Sequence, residues 1–151
     1  MLVRLLPDQV ASNWDVIKHA VAESLPPTII ESPDKLNNLF ESLLIGRMVC
    51  WASMTGEAND EMEGLLITTV QEDKVSGTRS LLIFSLYSFT NASKELTWQE
   101  GLAKLMRFAI TQRCDQIIAY TTNENVIRFV ERAGGDVSQR FITIPLYQNG
   151  T

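Results

Sequence analysis

The sequence predicts an α/β fold of the mixed, α+β kind, with a central sheet of about six strands and about four helices over both faces. Three observations predict it. The stretch from Leu81 to Gly135 alternates strand, helix, strand, helix. Before it, apolar runs are separated only by short polar turns, as in an antiparallel meander. Closer to the start, apolar residues recur at helical spacing.

Leu2-Val3-Arg4-Leu5-Leu6 is a short strand, ended by Pro7-Asp8. Val10, Trp14, Ile17, Val21 and Leu25 then form one helical stripe, stopped at Pro26-Pro27 because proline disfavours helical geometry in the residue before it. Ser32-Pro33-Asp34 starts the next helix with a cap, a first-turn proline and an acid at the positive end of the dipole. Its apolar face is Leu36, Leu39, Phe40, Leu43 and Leu44, and Gly46 closes it. Met48–Met54 and Leu65–Val70 are strands.

Leu81–Phe89 is apolar and aromatic enough for a central strand. Thr97 and Glu100 have the spacing of a capping box opening a helix, with Leu102, Leu105, Met106, Ala109 and Ile110 behind it. Ile117–Thr122 is a strand. Asn123–Ala133 is a helix closed by Gly134-Gly135, and Phe141–Leu146 is a last strand whose Pro145 suits an edge.

At 151 residues, 45% apolar and 21% charged, the chain reads as one domain spanning 1–151. A net charge of −5 without a Lys/Arg cluster argues against nucleic-acid binding. No run approaches a membrane span and no leader is evident, so a cytoplasmic location is expected. Cys50 and Cys114 lack zinc-like spacing, and no metal is expected. His19, the single histidine, lies off the helical stripe and reads as an exposed residue. Glu57, Asp60, Glu61 and Glu63 crowd a turn-like segment. They read either as a solvated hairpin or as a source of a general base.

This order of elements resembles the GNAT superfamily, the Gcn5-related N-acetyltransferases, over nearly the whole chain. The segment Asn123–Gly135 is similar to the helix that follows that family's fifth strand. The resemblance implies that acetyl-CoA lies between the strands around Ser85–Phe89 and Ile117–Thr122. Backbone groups of the first strand, including Ser88 and Phe89, would hold it. The family's Arg/Gln-x-x-Gly-x-Gly/Ala loop is matched best by Trp98-Gln99-Glu100-Gly101-Leu102-Ala103, which makes Gln99, Gly101 and Ala103, with Asn123, the expected cofactor contacts.

Three departures accompany the resemblance. Trp98 stands where Arg or Gln is expected. The capping box would consume donors a phosphate needs, and the Glu100 carboxylate would oppose the pyrophosphate by on the order of a few kcal/mol. Lys94 or Lys104 would be the offsetting cations. Val130 stands where many members carry a tyrosine that protonates the thiolate, which leaves Tyr120 or Tyr87 for that role.

If active, the protein would be an acyl-CoA-dependent N-acetyltransferase with Glu63 as a base acting on an amine or a basic protein. Backbone N–H groups near Tyr87–Phe89 would polarise the thioester. The alternative is a catalytically inactive GNAT-like interaction, regulatory or structural protein, of a kind bacteriophages also encode, with a protein partner. Oligomerisation is open in either case. In that alternative Trp98 plugs the cofactor cleft or joins an interface, while Trp14 and Trp51 are core residues.

Overall fold

The computed structural model describes residues 1–24, 34–56, 58, 61–89 and 95–146. Leu25, Pro26, Pro27, Ser32, Pro33, Glu57, Asp60 and Lys94, on which expectations fell, lie outside the described residues. Five strands form one sheet in the order β1 (Leu2–Arg4), β2 (Met48–Thr55), β3 (Glu61–Glu72), β4 (Arg79–Ser88), β5 (Gln116–Ala119). The first four are antiparallel to their neighbours, and β5 runs parallel to β4. This is the mixed sheet expected, made by short hairpins at one end and a helical crossover at the other.

Helices cover both faces, as expected. On one face α1 (Pro7–Ser12), α2 (Trp14–Glu23) and α3 (Lys35–Leu44) bring Val10, Ile17, Val21, Leu39 and Leu43 onto Cys50, Ala52, Leu65 and Ile67. On the other, α4 (Glu95–Thr111) brings Leu105 and Ala109 onto Trp51, Leu66 and Leu81. The crossover ends in β5, and α5 (Glu124–Arg132) follows it, after which Gly134 takes φ +89° and turns the chain.

Several boundaries differ from expectation for identifiable reasons. Pro7 does not end a strand; it is the first residue of α1, where its missing N–H costs no hydrogen bond. The first long helix breaks at Asn13, whose backbone leaves helical geometry and whose side-chain amide bonds the Gln9 carbonyl at 2.8 Å. The stripe survives the break, because Val10, Ile17 and Val21 all remain buried. The capping box is absent from α4: the helix already runs from Glu95, so Thr97 is an interior residue. A reach-back of this kind occurs at α1 instead, where Gln9 Oε1 accepts from the Leu6 N–H at 2.8 Å.

The expected sixth strand, Phe141–Leu146, joins no ladder among the described residues, and Ile142, Ile144 and Leu146 are exposed. Pro145 lacks an N–H there.

Trp14 and Trp51 are packing residues, as expected. Trp14 lies 4.5 Å from the Phe40 ring. Trp51 is buried edge-on to Phe108 and donates its indole N–H to Thr68 Oγ1 at 3.0 Å, so neither polar atom is orphaned beneath α4. Burial pushes the Cys50 thiol up to about 12, an inert core group. Replacing Thr68 by valine keeps the shape but strands the indole N–H. Urea unfolding of Thr68→Val is expected to show a loss of about 1–3 kcal/mol, and an unchanged midpoint would contradict this role.

Candidate functional site

The sheet is paired unevenly, and the site follows from that. β5 is four residues long and matches β4 only from Ser80↔Gln116 to Ile83↔Ala119. β4 continues to Ser88, so beyond Ile83 and Ala119 a gap opens between the strands. Phe84 and Tyr120 are the first residues past the last pair and stand at its apex.

A bulge coincides with the apex. On the β3 side, Ile83 pairs with Thr68 and Ser85 with Ile67, so Phe84 is an extra residue in β4. One inserted residue reverses the face of everything after it. Accordingly, Leu81 and Ile83 pack with the α4 side, while Phe84 and Tyr87 pack with the α1–α3 side. Ser85, on that same side, shares a 2.6 Å hydrogen bond with Ser24 after α2.

The ladder also fixes which backbone groups face the gap. Phe89 N donates to Glu63 O at 2.9 Å, and in an antiparallel pair alternate residues then bond the same neighbour. Tyr87 and Ser85 are therefore spent on β3, and Leu86 turns its N–H and C=O to the open side. Of the donors expected around Tyr87–Phe89, the Phe89 and Tyr87 amides are used within the sheet, and the same alternation turns the Ser88 N–H, like that of Leu86, toward the open side.

The expected site residues fall into separate groups. Tyr120 is not within β5 but one residue past its end, with its ring 5.2 Å from that of Phe141. Tyr87 faces α2, edge-on to His19 at 6.0 Å and to Phe89 at 5.1 Å. His19 is exposed, as expected. Ser88 and Phe89 lie at the wide end of the gap. Glu63 is the extra residue in a second bulge, opposite Ser53/Met54, and its carboxylate accepts from Ser53 Oγ at 3.0 Å. It is thereby turned toward β2, away from the open edge of β4. Among the described residues no group of three or more His, Cys, Asp or Glu could hold a metal ion.

The four cofactor contacts drawn from the resemblance also divide. Gln99, Gly101 and Ala103 all lie inside α4, where backbone N–H groups belong to the helical ladder. Gln99 and Ala103 border a cavity of about 180 Å3 between α4 and α5, with Phe129 and Arg132. Trp98 is edge-on to Phe129 at 5.3 Å, packing α4 against α5. Lys104 does not reach toward Glu100; its ammonium donates to the Leu2 carbonyl at 2.6 Å. Asn123 is the N-cap of α5, accepting from the N–H groups of Asn125 and Val126 at 2.9 and 3.2 Å. Val130 is wedged under the helix end: its carbonyl accepts from the Gly135 N–H, and a Cβ on Gly135 would clash with its side chain.

Sequence reasoning missed a cavity of about 510 Å3 that opens at the apex on the α1–α3 side. Ser42, Arg47, Met48, Thr69, Gln71, Leu82, Phe84, Tyr120 and Phe141 line it. They come from five places in the chain, so no local pattern announces them.

The order of elements and the mixed sheet, which parts beyond its parallel pairs, agree with the GNAT-like fold that the resemblance implied. No family model and no curated protein matches the sequence. Solved acetyltransferase structures do match. A probable acetyltransferase has TM-score 0.71 at 14% identity, over 98% of this chain and 99% of its own. A predicted acetyltransferase from Clostridium acetobutylicum, solved with acetyl-CoA, has 0.70 at 13%, over 97% and 96%. The aminoglycoside N-acetyltransferase AAC(6')-Iy, solved with a bisubstrate analog of CoA and acetylneamine, has 0.69 at 13%, over 98% of each chain. At these identities the likeness is one of fold.

If capping is the role of Asn123, Asn123→Ala is expected to cost about 0.5–2 kcal/mol while Asn123→Asp retains stability. Thermal unfolding of both variants checks this, and equal loss in both would point to another role for the amide.

Proposed function

We propose that the chain is an acyl-CoA-dependent N-acyltransferase of GNAT type. The observation that carries the proposal is the split: an unpaired edge of β4 beside the end of β5, with a bulge at its apex. Such an edge fits the amide-bearing arm of acetyl-CoA, which can pair with it as a further strand. The Leu86 N–H is positioned to polarise the thioester carbonyl, where a donor in place before reaction stabilises developing negative charge. As the amine nitrogen bonds to the acyl carbon and the C–S bond breaks, Tyr120 at the apex would protonate the departing thiolate, and the proton the nitrogen gives up would return to the phenolate. Glu63 fits the role of base poorly, because Ser53 holds it on the β2 side.

A second reading has its own support. Gly101 and Ala103 are wound into α4, so the expected pyrophosphate loop is helix, and Lys104 is committed to β1. A chain that keeps the split but has lost the phosphate cradle would be a non-catalytic interaction module.

Calorimetric titration with acetyl-CoA at low and moderate salt separates the two. The proposal expects micromolar binding at both salt concentrations, tightened at moderate salt if the Glu100 carboxylate opposes the phosphates. No heat at millimolar acetyl-CoA would contradict it and favour the interaction module.

A further inference from the structure

The cavity at the apex carries an inference about the acceptor, and this inference rests on the acyltransferase reading. Its wall is largely apolar: Leu82, Phe84 and Phe141 contribute, with Tyr120 at the mouth. Gln71 and two hydroxyl residues add neutral polarity. Among the described residues of the lining, Arg47 is the one charged group and none is a carboxylate. Among the described residues no carboxylate is paired with the Arg47 guanidinium. At about 510 Å3 the space lies within the usual range for small-molecule sites.

Its charge is also at one end. Arg47 precedes β2, while Phe84 and Tyr120 stand at the β4–β5 gap. Strands lie about 4.8 Å apart, which separates the two ends by roughly 10–14 Å across the sheet. A zwitterion entering such a cavity has one favourable direction, with its anion on Arg47 and its amine at the apex, where the acyl group would be met. A second cation at the Arg47 end would meet a like charge with no acid to offset it.

We infer that this cavity is the acceptor site, and that it takes an amine joined through an apolar stem to an anionic group. This narrows the acceptor from the amine or basic protein expected from the sequence to an amine that also carries an anion. Net charge describes the whole surface, whereas the selecting charge is local.

The test compares ω-aminooctanoate with octamethylenediamine, two amines of matched length that differ in the charge at the far end. Each is titrated calorimetrically, up to millimolar concentrations and without CoA, into the full chain and into Arg47→Gln and Gln71→Glu. Arg47 is exposed, and the bond its backbone carbonyl accepts from Thr69 does not depend on its side chain. The parent is expected to bind the amino acid about tenfold or more tightly than the diamine. Arg47→Gln should remove the preference, and Gln71→Glu, which sets a carboxylate against the Arg47 charge, should weaken it. Equal binding of both probes, tighter binding of the diamine, no binding of either, or a preference that survives Arg47→Gln overturns the inference. Release of CoA from acetyl-CoA is followed separately with the same amines. An Arg47-dependent preference without any CoA release keeps the anion-selective cavity and removes the acyltransferase reading. CoA release with both amines at equal rates keeps the reading and overturns the selectivity.

Discussion

The structure depends on where β5 stops. Four parallel pairs tie it to β4, ending at Ile83 and Ala119, while β4 continues for five more residues. Had β5 followed β4 to Ser88, the Leu86 amide would be spent on a neighbour and the sheet would present no opening. Because it stops, β4 carries a closed edge toward β3 and a partly open edge on the other side. Backbone groups need partners, so beyond Ile83 the open edge of β4, where Leu86 is exposed, is met by water or by a group from outside the fold.

The bulge at Phe84 makes the opening two-sided. By inserting one residue it moves the second half of β4 across the pleat, so Ser85 and Tyr87 answer to α2 while Leu81 and Ile83 answer to α4. The proposed acyl-donor arm and the proposed acceptor cavity would then meet at one apex from different directions. Tyr120 belongs to both, being next to the end of β5 and in the cavity wall. The remaining aromatic group, His19, Tyr87 and Phe89, lies farther along the strand and packs α2 against it.

Much of this fold is legible in the sequence, and its limits have physical causes. The helices behind Leu102–Ile110 and Val126–Ala133 carry a clear period, but burial follows only part of it: Leu105, Ala109 and Phe129 are buried, whereas Met106, Ile110 and Ala133, expected on the same apolar faces, are exposed. Strand β4 was legible as a strand but not as a bulged one, since Leu81–Leu86 is apolar at nearly every position and no alternation marks the slip. Thr97 and Glu100 fit a cap by spacing alone, but where a helix begins depends on the residues that dock ahead of it. Phe141–Leu146 has β-forming composition, yet joining a ladder needs a distant edge that local composition does not specify. The site was the least legible part. Arg47, Gln71, Phe84 and Tyr120 meet only through the sheet, and the local motif that pointed to a phosphate loop is wound into helix.

The most direct measurement of the central claim is amide hydrogen exchange along β4, residue by residue, by NMR. The account predicts slow exchange at Ser85 and Tyr87, which bond β3, and fast exchange at Leu86, with Leu86 slowing when acetyl-CoA is added. Slow exchange at all three amides in the free protein would mean that the edge is already closed, and the split would not be the site.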